Sequence, residues 1–334
     1  MRNHAAFRLR NSFDICHSDF VIHRQMKILH SISDLSSLPG PLFLAIGVFD
    51  GVHRGHQAVI STSARHAHAA DGTPVVVTFD PHPAKVLRPN DAPHLLTAKQ
   101  HKINLIRSLG VAHLLVVEFN KKFASTPPEE FVGHLVKHSK PLREICVGHE
   151  WSFGRNRAGN LALLKKLGAD CHFDVIGIPP VMVDAHVVSS TAIRNAVQQG
   201  DFDTAEKMLG RPYSIVGTVV GGDQLGKKLG FPTANLSAHS EQFPPNGVYF
   251  AEAWLDGVLY HGVVNLGVRP TVAKGEPQRT LEIHLLDFHQ DIYGQEVEVR
   301  FLQYLRPEKK FPNVDALIRQ IEMDVQRAKK LCAA

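Results

Sequence analysis

The chain is too long for one efficient hydrophobic core, and its composition is that of a globular protein. It has 334 residues, of which 44% are hydrophobic and 21% charged, without a low-complexity tract. Chains of this length usually divide into two domains. The longest apolar stretches, such as residues 41–49 and 178–183, are far shorter than the roughly 20 residues that cross a bilayer. The composition therefore argues against a disordered chain and against a membrane-spanning helix.

The charge balance and the cysteines indicate a cytoplasmic protein without a nucleic-acid partner. There are 37 Lys and Arg residues against 32 Asp and Glu residues, a net charge of +5, and the basic residues are scattered rather than grouped with aromatic ones. An enzyme that handles phosphates needs such cations in any case. No CxxC or metal-ligand spacing occurs among the four cysteines, Cys16, Cys146, Cys171 and Cys332.

The first 25 residues form a separate segment. Their Arg, Phe and Ser content suggests an organelle transit peptide, but they lack an apolar core, and Asp14 and Asp19 do not fit an acid-poor leader. Because Met26 begins an ordinary domain-like segment, we expect residues 1–25 to be a dispensable or misassigned extension.

An α/β domain is predicted for residues 26–210. Short apolar runs alternate with amphipathic stretches, which indicates βαβ units and a parallel sheet. The predicted strands are residues 42–48, 74–79, 113–118, 144–148 and 171–176. The predicted helices are residues 55–70, 97–109, 128–138, 160–167, 191–199 and 201–209. Gly210, Arg211 and Pro212 then interrupt the helical pattern and predict the domain boundary.

A β domain is predicted for residues 211–334. Its predicted strands are separated by Gly, Pro or Asp and cover residues 213–220, 248–255, 258–264, 280–286 and 296–301. Closure into a small antiparallel barrel would remove exposed strand edges. Residues 313–331 form one amphipathic helix, with Leu317, Ile321 and Val325 on one face, which we expect to pack across the barrel.

One candidate site begins at the segment from Gly47 to His56, which follows a strand and opens a helix. The first helical turn offers free N–H groups and a positive dipole end, and His53 and His56 add donors, as a phosphate site requires. Structural capping is an equally good interpretation of the histidines from the residues alone. Arg194 lies in the first turn of another helix, after two serines, and an anionic partner would offset the cost of burying it.

A second candidate site lies in the glycine-rich segment that ends at Asn235. It is not a Walker loop, and a plain barrel corner is about as good an interpretation. Thr233 and Asn235, however, offer neutral oxygen ligands for Mg²⁺ beside ATP phosphates. Downstream, Glu282 alternates with Leu281 and Ile283 and therefore faces away from the apolar side of its strand. Taken alone, Glu282 is a surface carboxylate.

Four motifs in the first half carry a specific resemblance. GxFDGVHxGH, TFxPHP, VGxxxxFGxxRxG and SSTxIR occur together and in order, and the chain resembles the bacterial bifunctional riboflavin kinase/FAD synthetases. The first half is similar to the Rossmann-like HxGH nucleotidyltransferases. This resemblance implies catalytic roles for His53, His56 and Arg194. It implies ATP contacts for Gly47, Phe49, Asp50, Gly55, Gly148, Glu150, Ser190 and Thr191, and flavin contacts for Phe79, His82 and Pro83.

The chain departs from the family pattern at Glu150, where Asp or Asn is usual, and the longer carboxylate changes its reach. The reaction that the resemblance implies here needs no general base, because the ionised phosphate of FMN can itself attack the α-phosphorus of ATP. Positioning and charge stabilisation would carry the rate.

The second half resembles the flavokinase domain of the same enzymes. GFPTAN, NLGVRPT, LEIHLLDF, YGQEVEVRF and LRPEKKF recur in order. The resemblance makes Glu282 the catalytic base for the neutral 5′-hydroxyl of riboflavin. It implies ATP contacts for Gly217, Gly226, Lys228, Gly230 and Pro232. Lys227 stands where the family usually has Arg. A lysine can contact a phosphate but does not form the paired hydrogen bonds that an arginine forms.

The expected function is therefore flavin cofactor biosynthesis: phosphorylation of riboflavin to FMN by ATP, then adenylyl transfer to FMN, which gives FAD and pyrophosphate. Mg²⁺ is the expected cofactor, and riboflavin, FMN and ATP are the expected partners, without nucleic acid or membrane. The oligomeric state stays open between a monomer and a weak homo-oligomer. Two alternatives also stay open: an enzyme with one activity and a regulatory flavin module, and a sensor without catalysis.

Overall fold

The computed structural model describes residues 26–222, 226, 229–239, 242–269 and 278–333. The predicted extension 1–25 and the loop lysines Lys227 and Lys228 lie outside the described residues. Within the described part of the chain, no helix is long and apolar enough to span a membrane.

The first domain is built on a six-stranded parallel sheet in the order β1-β4-β3-β2-β5-β6. Its strands are β1 (Lys27–Leu29), β2 (Leu42–Ile46), β3 (Thr73–Asp80), β4 (His113–Glu118), β5 (Leu142–Gly148) and β6 (Asp174–Ile178). Every residue of β2 is buried, because apolar clusters cover both faces of the sheet. The surrounding helices are α1 (Arg54–Ala69), α2 (Pro83–Leu87), α3 (Lys99–Ser108), α4 (Lys121–Ala124), α5 (Pro128–His138) and α6 (Leu161–Cys171).

The strand order makes the carboxyl end of β2 the expected place for a ligand crevice. From β2 the chain continues to β3 on one side of the sheet, whereas β5, on the other side of β2, is reached only after a crossover from β4. Ligands of open α/β sheets bind beyond the carboxyl ends of the strands at such a switch point. The loops that follow β2 and β5, residues 47–53 and 148–153, therefore flank the crevice.

The second domain is a closed six-stranded antiparallel barrel in the order β10-β13-β12-β11-β14-β9. Its strands are β9 (Ser214–Val220), β10 (Ala234–Ala238), β11 (Gly247–Leu255), β12 (Val258–Arg269), β13 (Gln278–Leu285) and β14 (Glu296–Arg306). A C-terminal helix, α9 (Val314–Cys332), packs Val325 and Ala328 against Phe250 on the outer face of the barrel. Arg306 of β14 donates to both carboxylate oxygens of Asp324 and fixes the helix there.

Two helices join the domains and share the core of the barrel. They are α7 (Ser190–Gln199) and α8 (Phe202–Leu209), and a short hairpin, β7 (Met182–Val183) with β8 (His186–Val187), precedes them. Phe202 stacks on Phe301 with a ring-centroid distance of 5.8 Å and contacts Tyr249 edge-on. The helices thus cover one end of the barrel core, although they precede the predicted boundary at residue 210, which itself stays a prediction.

The predicted fold class is confirmed: a parallel sheet, a closed antiparallel barrel and a terminal helix. Some element bounds differ. The strand predicted at 171–176 begins only at Asp174, because α6 continues to Cys171. Strands β1 and β10 and the β7–β8 hairpin were not predicted, since they are short or lie beside Gly and Pro residues.

A barrel fragment that keeps α7 and α8 is expected to be more stable than one without them. Fragment 211–334 leaves Tyr249 and Phe301, which are at most 1% exposed in the full chain, without the helices that cover them. Fragment 189–334 should therefore unfold at the higher temperature, as measured by circular dichroism. As a matched control, Phe202→Ala in the longer fragment should destabilise it by about 3–5 kcal/mol. Equal unfolding temperatures for both fragments would contradict this packing role.

Candidate functional sites in the two domains

Loop 47–53 after β2 has a strained backbone. Phe49, Gly51 and Val52 have φ angles of 54°, 84° and 40°, in the left-handed region. Such angles are unusual for a β-branched residue such as Val52 and persist where the surrounding structure fixes them. The loop ends at His53, whose Nδ1 accepts a hydrogen bond of 3.3 Å from the backbone N–H of His56 and caps α1. The strained loop thus delivers His53 to the N-terminus of a helix.

The two histidines form a stacked pair. Their ring centroids are 3.5 Å apart, and Phe49 contacts His56 edge-on at 5.3 Å. Burial lowers the pKa of His53 to about 4, opposed by the charge of Asp50. Burial also lowers the pKa of His56 well below its ordinary value. Because Nδ1 of the neutral His53 accepts a bond, its proton resides on Nε2. The structure therefore presents neutral imidazoles at neutral pH.

Asp50 joins three separate segments of the first domain. Its buried carboxylate accepts hydrogen bonds from the backbone N–H groups of Leu96 and Thr97, at 3.2 and 3.1 Å. Nη2 of Arg194 donates to the same carboxylate at 2.5 Å, and Ser190 Oγ donates to the Asp50 carbonyl at 2.9 Å. The anionic partner expected for Arg194 is thus Asp50 in this structure. Thr191, the next predicted contact residue, is exposed.

The loop after β3 brings the predicted flavin residues towards the same centre. Nδ1 of His82 accepts the N–H of Ala84 at 3.1 Å and caps α2, which begins at Pro83. Burial lowers the pKa of His82, and the nearby charge of Asp50 opposes this shift. The Phe79 side chain, by contrast, is only 7% exposed and packs in an aromatic cluster.

Lys102 is a residue of this centre that sequence reasoning missed. Its buried ammonium donates to the carbonyls of Val48 and Phe79, at 3.2 and 3.3 Å, and so ties together the ends of β2 and β3. Burial lowers its pKa. The residue lies within an ordinary amphipathic helix, α3, so no local pattern could have identified it.

The loop after β5 leaves open space beside the crevice. A Cβ atom added at Gly148 would meet no atom within 4 Å, whereas one at Gly47 would lie 2.7 Å from the Phe49 ring and one at Gly55 would lie 3.1 Å from the His53 ring. Glu150 is exposed. The structure thus explains Gly47 and Gly55 by close packing and leaves the space before Gly148 free for a ligand.

In the barrel, Glu282 lies between two asparagines on neighbouring strands. Asn235 of β10 and Asn265 of β12 are its register partners. Glu282 and Asn265 line a cavity of about 310 Å³ between the barrel and α9, together with Thr233 and Arg306. Sequence reasoning did not single out Asn265, although it lies in the NLGVRPT segment. Glu282 is thus part of a cavity wall.

A second cavity, of about 320 Å³, lies on the other side of Thr233 and is lined by Pro232 and by residues 288–293. His284 Nδ1 and the Pro232 carbonyl oxygen are 2.8 Å apart, which holds this segment against β13. The other predicted ATP-contact residues of the barrel differ in their surroundings. A Cβ at Gly226 would lie 2.4 Å from the Phe231 carbonyl, Gly217 packs inside the barrel, and Gly230 has a φ angle of 86°.

Comparisons with known proteins agree with both halves of this description. The chain matches the FAD synthetase family over residues 36–192 and the riboflavin kinase family over residues 209–332. It is 37% identical to a bifunctional riboflavin kinase/FMN adenylyltransferase of Pseudomonas fluorescens, covering 92% of this chain and 98% of the relative. The enzyme of the same name from Escherichia coli K12 is 36% identical, with 91% and 97% of the two chains covered.

A solved structure shares the fold along most of the chain. It is the crystal structure of a protein described as a macrolide-efflux protein from Streptococcus pneumoniae, with a TM-score of 0.78 and 29% identity. The match covers 91% of this chain and 98% of that one. Because it matches both families and is similar to these relatives along almost their whole length, the chain belongs to the bifunctional riboflavin kinase/FMN adenylyltransferases, which make FMN from riboflavin and FAD from FMN.

Proposed function

We propose that FMN is adenylated in the crevice beside loop 47–53 and that riboflavin is phosphorylated in the cavity lined by Glu282. The observation that carries this proposal is the different chemistry of the two sites. The first presents neutral imidazole donors at a helix N-terminus. The second presents a carboxylate in a cavity wall. A phosphate nucleophile is already ionised, so its reaction needs hydrogen-bond donors that stabilise the phosphate charges. A hydroxyl nucleophile also needs a base that accepts its proton.

In the first reaction, a phosphate oxygen of FMN attacks the α-phosphorus of ATP, and the bond to pyrophosphate breaks. Negative charge builds up on the departing pyrophosphate. His53 and His56 donate to phosphate oxygens from the start of α1, where free backbone N–H groups add to them. Arg194 supplies positive charge from the first turn of α7, in an orientation that Asp50 fixes. The rate then depends on positioning and electrostatics.

In the second reaction, the 5′-hydroxyl of riboflavin gives its proton to Glu282 while its oxygen attacks the γ-phosphorus of ATP. ADP leaves as the γ-phosphate bond breaks. The flavin occupies the cavity beneath α9, and the triphosphate lies on the far side of Thr233, in the neighbouring cavity. Because Thr233 lines both cavities, the hydroxyl and the γ-phosphate can meet there.

The donor groups beside Thr233 fit Mg²⁺. Within the described part of the chain, no three His, Cys, Asp or Glu side chains group as a metal cluster, so protein carboxylates do not form a cage. Mg²⁺ often binds through few protein groups plus substrate phosphates. The Thr233 hydroxyl and the Asn235 amide oxygen would hold the ion here. When bound, Mg²⁺ supplies positive charge that neutralises the phosphates.

We propose that these reactions take place in the cytoplasm. Cys146, Cys171 and Cys332 are free thiols, which fits a reducing cytoplasm. We expect the protein to act there as a monomer or a weak homo-oligomer, with ATP and flavins as its partners rather than nucleic acid or membrane.

The double variant His53→Ala/His56→Ala is expected to lose FAD formation and to keep FMN formation. Both side chains belong to the first domain, and removing them takes away the phosphate donors without touching the barrel. The measurement is chromatography of FMN and FAD after incubation of riboflavin with Mg-ATP. Equal loss of both activities in a folded variant would contradict two separate sites.

Glu282→Gln is expected to lower riboflavin kinase activity by about 10²- to 10⁴-fold, the usual contribution of a general base. Glutamine keeps the size and the hydrogen-bonding capacity of the side chain but cannot accept the proton. Adenylation of supplied FMN in the same preparation serves as the control and should be unchanged. Near-normal FMN production by this variant would make Glu282 a surface carboxylate without a catalytic role.

The neutral state of His53 can be tested by its effect on acid stability. Its pKa is about 4 in the folded protein against 6.5 ordinarily, so the unfolded chain binds the proton first as the pH falls. The stability that a neutral His53 contributes is therefore complete above pH 6.5 and is lost between pH 6.5 and about 4. From pH 7.5 to pH 5, the wild type should lose about 2 kcal/mol more than His53→Asn, which keeps the helix cap without titrating. Urea unfolding at both pH values measures this difference, and identical losses would show that folding does not lower the pKa of His53.

A further inference from the structure

The residue that begins the predicted second domain contacts the strained loop of the first. Nη2 of Arg211 donates to the carbonyl of Gly51 at 2.9 Å, and Nη1 donates to the carbonyl of Val52 at 3.4 Å. Gln57 adds to this connection, because its Nε2 donates both to Val52, at 2.9 Å, and to Leu209, at 2.8 Å. The segment between the domains is therefore bonded to the loop that delivers His53.

Arg211 lies where the first domain and the barrel meet. Burial lowers its pKa to about 10, and the negative charge of Glu298 on β14 opposes this shift. Arg300, on the same strand, donates to Glu298 at 3.1 Å. His101 of α3, which is 4% exposed, also interacts electrostatically with Arg211 and Glu298. A barrel carboxylate is thus the largest of the influences that oppose the lowering of the Arg211 pKa by burial.

The Arg211 charge also acts on the first site. Burial is the largest cause of the low pKa of His53, but the positive charges of Arg211 and Arg194 lower it further, whereas Asp50 raises it. His56, stacked on the same ring, is itself neutral. The charge of Arg211 therefore contributes to the low proton affinity of the His53 imidazole.

We propose that Arg211 is a positioning residue of the FMN adenylyltransferase site, which holds loop 47–53 in its strained shape through its hydrogen bonds to the carbonyls of Gly51 and Val52. The inference rests on the proposed function of the first site. Left-handed residues such as Val52 keep their conformation only where several contacts enforce it. A guanidinium can bond two successive carbonyls at once, which an ammonium cannot do with the same geometry.

The first experiment compares Arg211→Met, Arg211→Lys and a control, Arg143→Met, in the full-length chain. Arg143 is an exposed residue of β5 whose ion pair with Asp174 spans 3.7 Å, at the opposite end of its strand from the crevice. We expect Arg211→Met to lower kcat for FAD formation by about 10- to 100-fold, the scale of a misplaced catalytic group. Arg211→Lys should recover part of the loss, and Arg143→Met should have no effect.

Riboflavin kinase activity is measured in the same preparations and should stay within about twofold of the wild type for all three variants. It reports the integrity of the barrel. A normal kcat for FAD formation in Arg211→Met would overturn the proposal, as would a parallel loss of both activities. If Arg211→Met does not fold, Arg211→Lys still decides, since it retains most of the side-chain volume.

The pH profile separates positioning from general loss of structure. The charges that act on His53 come from Asp50, Arg194 and Arg211. Removing the Arg211 charge should raise the pKa of His53, so the acid limb of kcat/KM for FAD formation should move to higher pH in Arg211→Met. It should not move in Arg143→Met. An unchanged acid limb together with a lowered kcat would indicate a merely structural role.

Failure of the underlying function is distinguishable, because the wild type itself would then form no FAD, whereas failure of the inference leaves wild-type FAD formation intact and insensitive to Arg211.

Discussion

The buried carboxylate of Asp50 is the contact on which the first site depends. It fixes loop 47–53, the segment around Thr97 and the first turn of α7 at the same time. A buried charge is costly unless hydrogen bonds and an opposite charge compensate it, and here two backbone N–H groups and Arg194 do so. Loss of Arg194 would leave the buried carboxylate without its opposite charge. The geometry around the histidines is therefore a product of the whole tertiary structure.

The two sites solve different chemical problems with different burial. The histidines are enclosed at a helix N-terminus, where low dielectric keeps them neutral and makes their hydrogen bonds strong. Glu282 instead lies on the outer face of the barrel, beneath α9, in a cavity large enough for part of a flavin. The carboxylate that we propose as the base has to accept a proton and then release it, and such partial access to water suits this role, since full burial would keep it protonated. Neither environment would suit the nucleophile of the other reaction.

Much of the fold could be predicted from the sequence, because its signals are local. The strands of the parallel sheet are short apolar runs, and His53 and His56 lie within one motif at the start of α1. Strand β10 was missed because it directly follows a Gly- and Pro-rich segment. The roles of Lys102 and Arg211 could not be predicted, since their partners are distant along the chain; Arg211 and Gly51 are 160 positions apart. Periodicity identifies which residues form an element and carries no information on such pairs.

Several side chains hold loop 47–53 by hydrogen bonds, and the energetic cost of its backbone conformation explains why one such anchor is not enough. Non-glycine residues held in sparsely populated backbone regions cost about 1–3 kcal/mol each, and Phe49 and Val52 are two of them. One hydrogen bond to a charged group contributes about 1.5–3 kcal/mol, so a single anchor would not reliably offset both. Lys102 bonds the loop from α3, Gln57 bonds it from α1, and Arg211 bonds it from the segment that leads into the barrel. A first domain that ended at residue 210 would retain the strain and lack the hydrogen bonds from Arg211. The covalent connection between the domains thus has a structural effect at the first site, in addition to placing two consecutive activities on one chain.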